Sequence, residues 1–171
     1  MILKGGKMKK TIFTFICVFL AFATTGCDFF APAEKEFSGS GITITLNDDF
    51  AVTETVLAPL YLVSLDHVFM GMRESKSLAN AYDIYSLQDY ATAVLTNGGK
   101  TDVSTYNSNE TGATYIYAYY TSTVDGNDYG YMLVCMESST YFYSMNFGCL
   151  EENLEDSKTI YRNWADTIIV E

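Results

Sequence analysis

Along the chain, apolar and polar positions repeat with two periods, and the changes between them mark out the elements. Residues 41–46 alternate Ile, Ile and Leu with threonine, the period of a half-buried strand, and Asn47-Asp48-Asp49 supplies the turn after it. Residues 59–65 and 67–73 predict two more strands, joined tightly at Asp66. Residues 75–85 follow neither period and predict a loop with a single helical turn. The clearest helix follows: Leu87, Tyr90, Ala91, Val94 and Leu95 fall on one stripe. Ser86 and Asp89 stand at capping-box spacing before it, and Asn97-Gly98-Gly99 closes it.

After the glycines the period returns to that of strands. Residues 101–106 predict a short strand, and residues 114–124 and 128–137 flank Asp125-Gly126, a dipeptide suited to the primed turns of antiparallel hairpins. Residues 150–167 predict the last helix, with Glu151, Glu152, Glu155 and Asp156 early, and Lys158 and Arg162 late, as the helix dipole favours. Its stripe is Leu150, Leu154, Tyr161, Trp164 and Ile168. Trp164, the single tryptophan, reads as the anchor of this helix on the sheet, and residues 168–170 predict a final edge strand.

The hairpins also predict a register. A two-residue turn at Asp125-Gly126 sets Tyr115 opposite Met136, Tyr117 opposite Val134 and Tyr119 opposite Met132. A turn at Ser138-Ser139 sets Met136 opposite Tyr141, Val134 opposite Tyr143 and Met132 opposite Met145. One face then carries Tyr115, Tyr117, Tyr119, Tyr141 and Tyr143, candidates for a platform that stacks sugar rings or peptide side chains. The stronger reading is that these tyrosines reinforce a sheet covered by a helix. The other face carries Ile116, Ala118, Leu133, Cys135, Phe142 and Ser144. In this register Cys135 lies opposite Phe142 and Cys149 opposite Asp128. The two sulfurs are then about 23 Å apart, at about 3.3 Å per residue. That is beyond disulfide reach, so both cysteines are expected to stay unpaired and buried.

The first 27 residues change the picture of where this domain works. Lys9-Lys10 precede an apolar run, residues 11–25, too short to span a bilayer, and Met8 makes a more compact start for this leader than Met1. The run ends in Thr24-Thr25-Gly26-Cys27, which resembles the lipobox of bacterial lipoproteins, although Thr24 stands where that pattern usually has an aliphatic residue. The resemblance implies a diacylglyceryl group on Cys27. The competing reading is free secretion, since Ala21-Phe22-Ala23 is itself an A-x-A cleavage site. Residues 1–26 are therefore expected to be a signal peptide. Residues 27–40, with their Pro, Gly, Ser and charge, are expected to be the lipidated cysteine and a flexible tether, and residues 41–171 the folded domain.

Charge narrows the partners. The chain of 171 residues carries 10 basic and 21 acidic residues, and four of the lysines lie in or before the leader. So acidic a domain repels phosphate backbones, and nucleic acid is not expected as a partner. The membrane, through lipid on Cys27, and an envelope protein or glycan are the expected ones. His67 is the only histidine and stands near no Ser or Cys motif, so it reads as a surface residue rather than a catalytic base. Asp48-Asp49 lack the spacing of a calcium loop, and no clustered Cys ligands suggest zinc, so neither a metal nor another cofactor is expected.

Strands, an amphipathic helix, further strands in meander and a final helix predict an α+β domain: a single antiparallel sheet of about six or seven strands flanked by two main helices. The segments GITITLNDDF, SLQDY, VDGNDYGY and FGCLEENLED, in that order, resemble the PsbP-like lipoproteins of Gram-positive bacteria over most of residues 41–171. The resemblance implies an α/β/α sandwich and a non-enzymatic accessory or binding role, and it carries over no active site. The expected protein is an extracytoplasmic, membrane-anchored lipoprotein that performs no chemistry. The alternative is a carbohydrate- or peptide-binding module that uses the Tyr face.

Overall fold

A computed structural model describes residues 33–55, 58–108 and 114–171. The leader and Cys27 lie outside these residues. The described fold belongs to a compact unit, Glu34–Glu171. It begins earlier than residue 41. Strand β1, Glu34–Gly39, occupies residues expected to be tether and pairs antiparallel with β2, Ile42–Asn47. Two local features explain this strand. Ser40 and Gly41 both have positive φ, the geometry of a two-residue primed turn, and Phe37 is the one β1 side chain buried in the core. Its other residues are polar because β1 is an edge strand.

Six more short elements follow: β3, Ala51–Val52; β4, Leu60–Val63; β5, Val68–Ser75; helix α1, Lys76–Asn80; helix α2, Leu87–Asn97; and β6, Tyr106–Ser108. The expected strand at 101–106 thus begins only at Tyr106, after a turn at Thr101-Asp102. Helix α2 carries the full capping box: Ser86 Oγ accepts from Asp89 N at 3.1 Å, and Asp89 Oδ2 accepts from Ser86 N at 3.2 Å. At the other end Gly99, not Gly98, takes the left-handed conformation.

The long strands come last: β7, Tyr115–Val124; β8, Asn127–Glu137; and β9, Tyr141–Leu150. A short 3-10 turn, Glu151–Asn153, leads into helix α3, Leu154–Ala165, and then β10, Ile169–Val170. Asp125 and Gly126 both have positive φ, and Val124 pairs with Asn127, as the primed turn requires. Between β7 and β8 the expected pairs hold, with Tyr117 opposite Val134 and Tyr119 opposite Met132.

Between β8 and β9 the register is two residues away from the expected one. Met136 faces Tyr143, Val134 faces Met145, Cys135 faces Ser144 and Gly130 faces Cys149. The turn centres on Ser139-Thr140: Ser138 N donates to Tyr141 O, and Ser138 Oγ accepts from both Thr140 N and Tyr141 N. A slip of two leaves every side chain on its expected face.

Seven strands form an antiparallel sheet in the order β3-β4-β5-β9-β8-β7-β6, and β1-β2-β10 form a second, smaller sheet. Helix α2 covers one face of the large sheet through Leu87, Tyr90, Ala91 and Leu95, packed on Ile116, Ala118, Leu133, Cys135 and Phe142. The other face is covered by α3 and the small sheet together. There Ile42, Ile44 and Leu46 meet Leu60, Phe69, Met145 and Phe147, and Trp164 meets Phe50 edge-on at 5.4 Å. Close approach uses glycine: a Cβ on Gly71 would stand 2.7 Å from Ile42 Cδ1, and one on Gly130 would stand 2.6 Å from Leu154 Cβ. Cys135 and Cys149 are free and buried, and they belong to the cores on opposite faces of the sheet.

Candidate functional site

The alternation of β7 places Tyr115, Tyr117 and Tyr119 side by side on the face under α3, with ring centroids 6.0 and 5.7 Å apart. Helix α3 lays its cations across them. Arg162 Nε donates to Tyr115 Oη at 3.0 Å and Nη1 donates to Tyr117 Oη at 2.7 Å, while its guanidinium lies 4.3 Å above the Tyr117 ring. Tyr115 in turn donates to Asp166 Oδ1 at 2.9 Å. Lys158 stands 4.9 Å over the Tyr119 ring and pairs with Glu155. Burial pushes the Tyr119 hydroxyl up to about 12, against the opposing pull of Arg162.

This arrangement decides much of the platform reading. Tyr115 and Tyr143 are fully buried, so they present no face to a ligand. Tyr143 donates to the backbone oxygen of Glu171, and Tyr141 sits under Arg73 at 4.5 Å. Tyr117, Tyr119 and Tyr141 are half-buried. The sequence pattern placed the tyrosines on one face but missed Arg162 and Lys158 as their cover. Those two residues lie four apart on one helix, and that spacing was the available signal. It also missed Tyr106, half exposed at the sheet edge and 5.4 Å from Tyr117.

His67 is less exposed than expected. It is half-buried, with Nδ1 3.0 Å from Tyr161 Oη and its ring edge-on to both Tyr161 and Trp164 at 5.5 Å. Burial lowers its pKa, and the carboxylates of Asp66 and Asp49 oppose that shift. A cavity of about 320 Å³ is lined by His67 and Cys149 together. Within it the ring nitrogen of His67 faces Tyr161, and Cys149 Sγ points to Gly130 O at 4.0 Å. The pair does not form a nucleophile-base hydrogen bond. Asp48 and Asp49 make the turn after β2, where Phe50 N donates to Asn47 O.

No protein-family model matches the sequence, and no curated protein is similar to it. Solved structures are similar in fold. The solution structure of cyanobacterial PsbP (CyanoP) from Synechocystis has a TM-score of 0.56 at 12% identity, covering 84% of this chain and 95% of that one. A crystal structure from Bacteroides thetaiotaomicron has a TM-score of 0.54 at 10% identity; the match covers 82% of this chain and 48% of that one. LpqN, involved in cell envelope biogenesis of Mycobacterium tuberculosis, has a TM-score of 0.48 at 11% identity over 81% of this chain. The fold is PsbP-like, an α+β arrangement with a seven-stranded antiparallel sheet.

Proposed function

We propose that this chain is an extracytoplasmic lipoprotein, held to the membrane through lipid on Cys27, whose PsbP-like domain supports or binds another envelope component without doing chemistry. The observation that carries the reading is the run from Lys9-Lys10 through the apolar stretch to Gly26-Cys27, which ends seven residues before the first strand of a folded domain. Two acyl chains on one cysteine suffice for stable anchoring where a single chain does not. Two side chains of a kind that can serve chemistry are engaged within the fold. Arg162 is bonded to the tyrosines beneath it, and His67 to Tyr161.

Mass spectrometry of the mature protein from intact cells tests the anchor. The expected result is an N-terminal peptide that begins with diacylglyceryl-modified Cys27, and a Cys27→Ser chain that leaves the membrane fraction. A soluble product beginning at Thr24 would overturn the proposal in favour of free secretion.

A further inference from the structure

Helix α2 leaves part of its face of the large sheet uncovered. Between α1, the connector after it, α2 and strand β5 lies a groove of about 600 Å³, within the size range of small-molecule sites. Its rim is apolar and open to water: Leu78 is 56% exposed, Tyr82 73% and Met72 41%. Soluble domains seldom leave large apolar side chains grouped around a hollow without a use for it.

The polar groups of this groove are few and convergent. Glu74, Tyr90 and Ser144 line it from β5, α2 and β9. Tyr90 is 1% exposed and stacked on Phe142 with centroids 4.9 Å apart, and its buried hydroxyl makes no well-aligned hydrogen bond, with Ser144 and Glu74 the polar groups beside it. Burial raises its pKa, the adjacent Ser144 hydroxyl opposes that shift, and the nearby Glu74 carboxylate adds to it. A buried hydroxyl without a well-aligned partner costs stability unless something from outside the chain completes it. Glu74 is solvent-exposed and has no ion-pair partner among the described residues. Of the cations nearest to it in sequence, Lys76 pairs with Glu137 at 2.6 Å and lies 4.9 Å over the Phe142 ring, and Arg73 lies over Tyr141 on the opposite face.

We infer that this groove binds a small organic amine. Its apolar body lies against Met72, Leu78 and Tyr82, and its ammonium donates to Glu74 and to the oxygens of Tyr90 and Ser144. An anion would meet Glu74 with like charge. A neutral alcohol would meet the hydroxyls but gain nothing from the Glu74 charge. The aromatic ring of Tyr82 adds a face that attracts a cation. The site is independent of the lipid on Cys27, so its failure and that of the anchor are separate results.

Titration of the full chain with n-hexylamine, followed by NMR and calorimetry, tests the assignment, with n-hexanol and hexanoate as the matched neutral and anionic probes. Hexylamine is expected to bind in the millimolar range, suited to so small a ligand, with shifts confined to Met72, Glu74, Tyr82, Tyr90 and Val94. Hexanol is expected to bind about tenfold more weakly, and hexanoate not at all. Glu74→Gln is expected to weaken the amine about tenfold and leave hexanol unchanged. Tyr90→Phe keeps the stacked ring and is expected to fold normally while weakening the amine. Equal binding of amine and alcohol, unchanged amine binding in Glu74→Gln, or no saturable binding of hexylamine would each overturn the inference. In that event the Tyr90 hydroxyl is a site for water only.

Discussion

At the scale of single residues, His67 and Tyr115 make the strongest commitments. Burial against Tyr161 and Trp164 lowers the pKa of His67 below the ordinary 6.5, with Asp66 and Asp49 opposing the shift. As pH falls through about 6.5, the unfolded chain takes up a proton at this position before the folded one does. Stability is therefore fully present above that pH and is lost below it. The urea midpoint is expected to fall between pH 7.5 and 5.5, above the carboxylate range, and a His67→Gln chain is expected to show a flatter profile. Tyr115 donates to Asp166 and accepts from Arg162. Tyr115→Phe leaves both partners short of a hydrogen bond, and chemical denaturation is expected to report a loss of about 1 to 3 kcal/mol. Of these two residues, the sequence placed Tyr115 on its correct face because strand alternation is a local property. The burial of His67 was illegible, because it depends on α3 arriving from 94 positions away.

Local signals also decided which elements were readable. The Ser86–Asp89 cap and the Asp125-Gly126 turn declare themselves within a few residues, and both formed as expected. The turn between β8 and β9 has no residue in the left-handed region among Ser138, Ser139 and Thr140, so nothing in the dipeptides fixed its centre. The Ser138 hydroxyl fixed it instead, and moved the register by two. Strand β1 was missed for a similar reason: a polar edge strand with one buried phenylalanine has the composition of a linker. Helix α3 depends on a missing side chain. Gly130 lies under Leu154, the first residue of the helix, and a Cβ there would collide with it at 2.6 Å. Gly130→Val is expected to lift the start of α3 and destabilise the domain by about 1 to 3 kcal/mol, read as a lowered melting temperature. The same substitution at Gly126, where a Cβ meets nothing within 4 Å, would act through its positive φ alone.

Across the whole molecule, the large sheet separates two cores, and the cysteines report on that separation. Cys135 lies under α2 and Cys149 under α3, so no disulfide joins them in the folded state. Burial also pushes the Cys135 thiol up to about 12, far from a reactive thiolate. Alkylation of the native chain followed by mass spectrometry is expected to leave both cysteines unmodified, whereas brief unfolding in denaturant makes both react. Rapid modification of Cys135 in native buffer would contradict this layering. The α+β class, a sheet of about six or seven strands and the helix on each face were legible, because each rests on a period that runs through many residues. The small second sheet was not, because it joins segments from the two ends of the domain.

That joining has a consequence for how the domain matures. Strand β2 is held on one side by β1, its neighbour in sequence, and on the other by β10, where Thr43 pairs with Ile169 and Ile42 with Val170. Glu171 N also donates to Gly41 O. This seam closes a loop of well over a hundred residues, the kind of contact that forms late and slows folding. The hairpins can assemble locally, but the edge beside Ile42 and Thr43 stays open until residues 169–171 reach it. The domain thus locks only when its final residues return to its beginning.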